Sequence, residues 1–339
     1  MGAQELVSRS AESEWVRAAD RAAELDLTML ICTHNKARLL DRALESIADQ
    51  VLPQAAVWEV LVVENRCTDH TREVVRRWAR DERIPRLRCV SEPRLGVAFA
   101  RKRGLQESEG RLVGFVDDDC LLAPDWAEQA LRFARVHPRA GAFGGRNELS
   151  WEAPPTRIAE LYGESLARQD LGDGPREMPV NGWRMPVGAG LVLRREAIAT
   201  SGWVDRGVLR ARHPRNLGAG EDAEIALRIR SAGWQVWYSP ELRLRHVIPP
   251  GRMTLRYLRR LHRGFGRADV FLRALASPSG HPRLDGIAWS AGVLLDVLRR
   301  FREGYLHYED ERPTWLIRLS YARGCLEGAA WFLLTGRGW

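Results

Sequence analysis

Short apolar segments alternate with amphipathic segments along the first third of this chain, and the alternation limits the fold more than any other feature. The apolar segments are rich in β-branched residues, which is typical of buried strands, and the segments between them carry apolar residues at helical spacing. The predicted strands are residues 27–32, 57–63, 87–90 and 111–116, and the predicted helices are residues 36–50, 71–80 and 97–107. This order predicts a parallel sheet with helices on both faces.

Polar residues follow three of the predicted strands. They are Thr33-His34-Asn35, Glu64-Asn65-Arg66 and Asp117-Asp118-Asp119. Ligands of such sheets bind outside the carboxyl ends of the strands. We therefore expect a binding site where these three groups meet.

The aspartate triplet indicates the chemistry of that site. Adjacent carboxylates repel one another unless positive charge lies beside them. A hard divalent cation takes oxygen ligands and often shares them with substrate phosphates. The alternative for an isolated triplet is a solvated acidic turn.

Composition favours a folded protein with anionic partners. The 339 residues carry a formal net charge of +8, and 45% are hydrophobic. Such a basic chain favours nucleotide phosphates or acidic lipids, and we expect no nucleic acid because no module that recognises it is present. The five cysteines lack C-x-x-C spacing, which argues against zinc and a disulfide framework. The sequence shows neither a secretory signal nor a membrane-spanning apolar run, so we expect a cytoplasmic protein.

Beyond residue 116 the pattern is less regular. Residues 147–185 hold proline- and glycine-rich turns and predict an irregular excursion. Later predicted elements are strand 187–193, helix 223–232, and strands 234–238 and 242–246. The predicted organisation is a polar extension at 1–25, an α/β domain at 26–250 with halves at about 26–120 and 121–250, and a basic helical region at 251–339.

Four motifs together resemble the family 2 glycosyltransferases. They are residues 31–35, residues 62–69, the aspartate triplet, and Gly220-Glu221-Asp222, with His246 downstream. Each motif is weak alone, but the ordered set over residues 26–270 is specific. The resemblance implies an inverting hexosyltransferase of the GT-A fold, an α/β fold with a Rossmann-like, mostly parallel sheet flanked by helices and a C-terminal helical extension. The first half of the domain would bind the nucleotide sugar and the second half the acceptor.

The resemblance also implies roles for individual residues. Donor-binding roles fall to Thr33, Asn35, Glu64, Arg101, Asp117 and Asp118, and metal-binding roles to Asp119 and His246 with Mg²⁺ or Mn²⁺ as cofactor. Glu64 stands where the family usually has Asp, which leaves the base open; a UDP-sugar is favoured, with GDP- and dTDP-sugars as alternatives. His246 could equally be a surface histidine. Lys102 replaces the family's Asn and would lie near the diphosphate or face solvent.

Asp222 is the candidate catalytic base. Inverting transfer needs one group to take the proton of the acceptor hydroxyl, and a carboxylate within hydrogen-bond reach suits that role. An acid at a helix start can instead be a cap or dipole partner. We expect Glu221 to fill that structural duty, and we expect Thr68 and Asp69 to cap the second helix.

The sequence gives less information about the acceptor than about the donor. Trp183, Trp203 and Trp234 are candidate platforms for stacking on sugars, although tryptophan is more often a core residue. Gly188-Ala189-Gly190 indicates either a close approach of backbone to ligand or a tight bend. Because many relatives act on lipid-linked or cell-envelope acceptors, we expect a glycan or lipid-linked acceptor. The Gln-x-x-Arg-Trp element of processive synthases is absent, which favours transfer of a single sugar.

The C-terminal region carries a repeating arginine pattern. Arg256, Arg259, Arg260, Arg263 and Arg267 recur at helical spacing. A basic amphipathic helix with aromatic residues suits an anionic membrane surface, here the inner face of the plasma membrane. The alternative is a helical subdomain that packs on the catalytic domain.

Two other functions compete with glycosyl transfer. A nucleotidyltransferase would be expected to carry a glycine-rich loop with Arg and Lys after the first strand, which residues 33–35 do not provide. A non-catalytic protein that binds a nucleotide or a membrane could have the same fold. The joint presence of Asp119 and Asp222 argues against a decayed site.

Overall fold

A computed structural model describes most of the chain. It covers residues 25–179, 185–207, 220–276, 281–307 and 312–335, together with Leu209 and Leu217. All but the last residue of the predicted polar extension at 1–25 lies outside the described residues. The predicted domain boundaries stay predictions.

The first part of the sheet is parallel, as the alternation of apolar and amphipathic segments predicts. Strands β1 to β4 lie in the order β3-β2-β1-β4. They span Leu27–Thr33, Trp58–Glu64, Leu87–Ser91 and Leu112–Phe115, and the helices between them are α1 (Ala37–Ala48), α2 (Thr71–Trp78) and α3 (Val97–Glu107). β1, β2 and β4 are almost wholly buried between apolar layers, which accounts for their mainly hydrophobic sequences, whereas the edge strand β3 is mostly half-buried.

The second part of the sheet is mixed. Its strands are β5 (Cys120–Leu122), β6 (Ala140–Trp151), β7 (Arg176–Glu177), β8 (Val192–Arg194) and β9 (Gln235–Ile248). Its helices are α4 (Trp126–Val136), α5 (Arg157–Leu161), α6 (Arg195–Ser201), α7 (Trp203–Arg206) and α8 (Glu221–Ser231). β8 joins the two parts by pairing antiparallel with β4 and β6, whereas β9 runs parallel to β6 and antiparallel to β5 and β7. The α/β fold with helices around the sheet is thus confirmed.

Two predicted strands differ from the structure. The strand expected at 187–193 is only β8, because Gly188 to Gly190 form a turn in which Gly190 has φ of +77°. The strands expected at 234–238 and 242–246 are one continuous strand, β9. A register shift opposite Gly144 and Arg146 lets the strand pass Pro240, which cannot donate to the ladder.

Three long helices follow the sheet. They are α9 (Leu255–Leu275), α10 (Pro282–His307) and α11 (Arg312–Thr335). Within the described residues, none of the helices has the length and apolar character needed to cross a membrane. At the crossing of α9 and α11 the backbones touch: a Cβ built on Gly266 would lie 2.2 Å from the Tyr321 carbonyl oxygen, and one on Gly324 would lie 2.1 Å from that of Arg263.

Two glycine-to-alanine changes should have opposite effects on stability, one at this contact and one away from it. Gly324→Ala must push α9 and α11 apart, and we expect it to lower the free energy of unfolding by about 1–3 kcal/mol. Gly292→Ala, in α10, is the matched control, since a Cβ there meets no atom within 4 Å. Because alanine has a higher helix propensity than glycine, Gly292→Ala should raise the free energy of unfolding by up to about 1 kcal/mol. Denaturant unfolding of both variants measures this, and a Gly324→Ala protein as stable as the Gly292→Ala protein contradicts the close crossing.

Candidate active site

The ends of β1, β4 and β9 bring the predicted site together. Thr33, the last residue of β1, donates a 2.8 Å hydrogen bond from Oγ1 to Asp118 Oδ2. β5 begins directly after the triplet, and its antiparallel pairing with β9 sets Cys120 opposite His246. The Val247 amide donates to the Asp119 carbonyl oxygen at 2.8 Å. This pairing brings the aspartate triplet next to a histidine that lies far away in sequence.

Basic side chains surround the buried carboxylates of Asp118 and Asp119. Lys36 Nζ lies 2.7 Å from Asp118 Oδ1 and 3.0 Å from Asp119 Oδ2. Arg252 Nη2 lies 2.8 Å from the same Oδ2, and His246 Nε2 lies 3.0 Å from Asp119 Oδ1. Both oxygens of Asp119 therefore have a partner.

These neighbours shift the pKa values of the two carboxyl groups in opposite directions. Burial alone would raise the pKa of Asp119, but Lys36, Arg252 and His246 outweigh burial and hold that pKa well below its usual range. Burial raises the pKa of Asp118, because Lys36 and Thr33 offset the desolvation only in part. Asp119 is thus the carboxylate that stays ionised most firmly.

A cavity of about 400 Å³ opens over these groups. The predicted site residues that line it are Thr33, Arg101, Asp117, Asp118, Asp119, Asp222 and His246. Tyr257 and Phe265 of α9 also line it, so the C-terminal region contributes one wall. Asn35 and Glu64 are not among the lining residues.

Glu64 and Asn35 instead organise the loop after β2. Glu64 accepts hydrogen bonds from the Cys67 amide at 2.7 Å, from Ser91 Oγ at 2.8 Å and from Arg72 Nη2 at 2.8 Å. These contacts outweigh its burial and lower its pKa. Asn35 has φ of +53° and accepts from the Thr68 amide at 2.7 Å. The donor-binding role of both residues stays a prediction.

The two predicted helix caps behave differently. Asp69 accepts from the Ala37 amide at 3.0 Å and from the Thr71 amide at 3.2 Å. It therefore binds the first residues of both α1 and α2, but the N-cap residue of α2 is His70, so Asp69 has a structural role one residue before the predicted cap position. Thr68 does not cap, because its hydroxyl lies 3.3 Å from Asn35 Oδ1.

Arg101 links the triplet to α8. This buried arginine of α3 contacts Asp117 Oδ1 at 3.1 Å and Glu221 Oε1 at 3.0 Å, and its guanidinium lies 4.7 Å from the centre of the Phe115 ring. Glu221 thus pairs with an arginine, whereas the sequence predicted a helix-capping role. Burial would lower the pKa of Arg101, but the surrounding carboxylates raise it, so the guanidinium stays charged.

Asp222 lies in the first turn of α8 and faces the cavity. Its Oδ2 accepts a 2.8 Å hydrogen bond from the Gly188 amide. The approach is close, since a Cβ on Gly188 would lie 2.8 Å from that oxygen. Gly188 therefore allows a backbone donor to orient the carboxylate. Of the two sequence interpretations of residues 188–190, the tight bend is the one observed, and a close approach to ligand stays a prediction.

The groups around Asp119 fit a divalent cation. His246 Nδ1 lies 2.8 Å from the Leu166 carbonyl oxygen, which can only accept, so this nitrogen donates and fixes the ring with Nε2 facing Asp119 Oδ1. At 3.0 Å, this nitrogen and the carboxylate oxygen share either a proton or a cation. Cys120 is also near, but burial raises the pKa of its thiol well above the usual value and keeps it a poor ligand.

Sequence reasoning missed three site residues. Lys36 and Arg252 supply positive charge to the triplet. Asn65 is 3% exposed; its Nδ2 donates to the Glu92 and Arg94 carbonyl oxygens at 2.9 and 2.8 Å, and its Oδ1 accepts from the Gly96 amide at 2.8 Å. The position of Asn65 directly after Glu64 in a predicted site motif was the available signal.

The two candidate sugar-stacking tryptophans that the structure describes, Trp203 and Trp234, do not line the cavity. Trp203 is 1% exposed and belongs to the core, so it offers no face for stacking. Trp234 is half-buried against the same core and donates to Thr200 Oγ1 at 2.9 Å. Trp183 lies outside the described residues.

Lys102 faces away from the triplet and donates to the Gly207 carbonyl oxygen at 2.7 Å.

Known proteins resemble this chain in sequence or in fold. The succinoglycan biosynthesis protein ExoM of Rhizobium meliloti is 27% identical over 242 residues, 69% of this chain and 71% of that protein. The glucosyl-dolichyl phosphate glucuronosyltransferase of Haloferax volcanii is 27% identical over 164 residues, 48% of this chain and 50% of that protein. The mannosyltransferase PcManGT of Pyrobaculum calidifontis, solved with GDP-Man and Mn²⁺, has the same fold with a TM-score of 0.57 at 21% identity, covering 94% of this chain and 90% of that one.

The family profile agrees with the motifs. The profile of glycosyl transferase family 2 matches residues 28–199, which include all of β1 except Leu27, β2 to β4, the aspartate triplet and Gly188. The fourth motif at 220–222 and His246 lie beyond the matched residues. The implied GT-A fold is confirmed by the likeness to PcManGT. The chain belongs to glycosyltransferase family 2 and is a glycosyltransferase.

Proposed function

We propose that this glycosyltransferase moves one sugar from a nucleoside-diphosphate sugar to a hydroxyl group, with inversion at the anomeric carbon. The observation that carries the proposal is one cavity lined by both the aspartate triplet and Asp222. The triplet suits the donor's diphosphate, and Asp222 suits the acceptor's hydroxyl. A single cavity with both sets of groups allows a direct displacement.

Charge balance supports a divalent cation with the donor. Among the described residues that line the cavity, six carboxylates face three cationic side chains, Lys36, Arg101 and Arg252. A diphosphate would add negative charge to this excess, so it needs an accompanying cation. Asp119 and His246 would hold Mg²⁺ or Mn²⁺, which stabilises the charge that develops on a departing diphosphate. PcManGT binds GDP-Man with Mn²⁺; for this chain we favour a UDP-sugar, with GDP- and dTDP-sugars as alternatives.

The transfer step uses Asp222 as the base. Its carboxylate, oriented by the Gly188 amide, takes the proton of the acceptor hydroxyl while that oxygen attacks C1 of the sugar. The bond between C1 and the phosphate oxygen breaks, and its electron pair leaves with the nucleoside diphosphate. Attack from the opposite face inverts the configuration.

The donor site is tested by nucleotide binding. We expect one of UDP, GDP, dTDP or CDP to raise the melting temperature with Mn²⁺ and not with EDTA. Asp119→Ala should weaken this binding at least about tenfold, because the most firmly ionised carboxylate is lost. Asp125→Ala, outside the cavity at the start of α4, is the matched control. Equal binding by wild type and Asp119→Ala, with or without EDTA, rejects the metal assignment.

The base is tested by an isosteric substitution. Asp222→Asn should bind the nucleotide as the wild type does but slow sugar transfer by about 10²- to 10⁴-fold, since the amide cannot accept the proton. Asp205→Asn, in the first turn of α7, changes charge at another helix start and should retain activity. Steady-state kinetics with the assigned donor decides this. Near-wild-type turnover in Asp222→Asn reduces the residue to a structural role.

We place the acceptor in cell-envelope polysaccharide or glycolipid synthesis, as a glycan or lipid-linked molecule. The names of ExoM and of the Haloferax enzyme, which specify a polysaccharide and a dolichyl phosphate, support this class. A membrane-bound acceptor would require the enzyme to work at a bilayer surface. We therefore assign it a peripheral position at the inner face of the plasma membrane.

A basic groove between α9 and α11 supports that position. It has a volume of about 470 Å³ and is lined by Arg256, Arg259, Arg260, Arg263 and Arg323 together with Leu255, Leu319 and Ser320. Glu327 pairs with Arg263, Arg267 and Arg323. Arg256, Arg259 and Arg260 are exposed, and guanidinium groups bind lipid phosphates well.

Apolar side chains are exposed on the neighbouring helices. In α10, Leu284, Leu295 and Leu298 are 63%, 52% and 57% exposed, and their spacing places them on one face. Trp331 and Leu334 are exposed near the end of α11. Helices that carry both arginines and exposed leucines have the composition of helices that lie at a membrane interface.

Vesicle sedimentation tests the membrane surface. We expect stronger binding to phosphatidylcholine vesicles that contain phosphatidylglycerol than to those without it. Replacing both Arg256 and Arg260 by Ser should weaken this binding about 10- to 30-fold, given about 1 kcal/mol per basic residue at an anionic surface. Arg80→Ser combined with Arg132→Ser matches the charge change at exposed sites elsewhere. Equal weakening in both double variants, or no preference for the anionic lipid, contradicts the assignment.

A further inference from the structure

Lys36 occupies the position where positive charge is most needed in the active site. It lies at the start of α1, and its ammonium bridges Asp118 Oδ1 at 2.7 Å and Asp119 Oδ2 at 3.0 Å. Arg252 shares that Asp119 oxygen, and His246 faces the other. A divalent cation can therefore use Asp119 only if one of these partners withdraws.

Lys36 is the partner best suited to withdraw. Its side chain is 32% exposed, whereas that of Arg252 is 15% exposed and that of His246 is 6% exposed. His246 is further fixed by the carbonyl oxygen of Leu166, and Arg252 also approaches the imidazole at 3.4 Å. The lysine stem is flexible and holds its charge as a compact ammonium.

The residue type at this position is unusual for the chain. Only two of its 52 basic residues are lysines, Lys36 and Lys102. A guanidinium would bind the two carboxylates as a rigid planar fork, whereas an ammonium is a point charge that can exchange with a metal ion. The one lysine in the active-site cavity is thus the group that contacts both buried aspartates.

We propose that Lys36 competes with the divalent cation in the free enzyme and moves to the donor's diphosphate when cation and donor bind. Lys36 is then a positioning residue that makes the two ligands bind cooperatively. A cation alone would meet an aspartate pair already neutralised by Lys36 and Arg252. A diphosphate supplies new anionic partners for the displaced ammonium, so each ligand strengthens the other by the same factor. This inference rests on the proposed donor site.

Metal binding to the free protein provides the first test. Lys36→Met removes the competing charge and keeps a similar length, so we expect Mn²⁺, titrated without nucleotide and followed by electron paramagnetic resonance, to bind at least about tenfold more tightly than in wild type. Lys36→Arg keeps a cation on both aspartates and should leave Mn²⁺ binding as weak as in wild type. Lys102→Met is the control for loss of the other lysine. Mn²⁺ that binds Lys36→Met no more tightly than wild type overturns the proposal.

Coupling between the ligands provides the second test. In wild type, the diphosphate identified by the thermal screen should tighten Mn²⁺ binding strongly, and the enhancement should fall at least about tenfold in Lys36→Met. An enhancement unchanged in Lys36→Met overturns the proposal. Failure of every diphosphate to bind would reject the proposed donor site, while tighter binding of Mn²⁺ alone by Lys36→Met would still support the competition.

Lysine resonances test the movement in the unmodified enzyme. Because the chain has two lysines, selective isotope labelling gives two side-chain signals, which Lys102→Met assigns. We expect the Lys36 signal to shift when Mg²⁺ and the diphosphate are added together and to change little with either alone. A Lys36 signal unmoved by the complete pair overturns the proposal even if the Lys36 variants fail to fold.

Discussion

Neutralisation of two buried carboxylates is the constraint on which the active site depends. Moving an ion out of water costs several kcal/mol unless partners compensate. Asp118 and Asp119 obtain compensation from Lys36 before α1, His246 in β9 and Arg252 beyond that strand. These partners follow or belong to the first and last strands in chain order, β1 and β9. The site is therefore complete only when the first and last strands are both in place.

Local sequence patterns predicted the parallel part of the fold well because its central strands, β1, β2 and β4, are buried along almost their whole length. The failures lie where the backbone departs from simple periodicity. Gly190 turns the chain away from the strand expected at 187–193, and the bulge in β9 that contains Pro240 lets one long strand replace two short ones. Such events depend on the neighbouring strand, which a local pattern does not contain.

The candidate site was predictable to the extent that its residues follow strands. The triplet, Asp222 and His246 line one cavity, as the ordered motifs implied. Lys36 and Arg252 escaped notice because their role appears only when distant segments pair. Glu64 and Asn35 show the reverse case, since both lie within the motifs but bind the loop after β2.

Helix α9 belongs to two surfaces at once. Tyr257 and Phe265 form part of the cavity wall, while Arg256 and Arg260, close to them in sequence, line the groove on another side. The periodicity of a helix separates these faces without any additional structure. Close contact of its backbone with α11 at Gly266 and Gly324 holds the helix in one position.

Arg252 joins the site to this helix through a very short connection. β9 ends at Ile248, Arg252 completes a single turn, and Thr254 caps α9 by accepting from the Tyr257 amide at 3.2 Å. Because a 3₁₀ turn has three residues per turn, one inserted or deleted residue would rotate Arg252 by about 120° and point its guanidinium away from Asp119. Gly251, in contrast, has open space around its Cβ position. At Gly251, mutation can therefore change the side chain far more freely than the length of the connection.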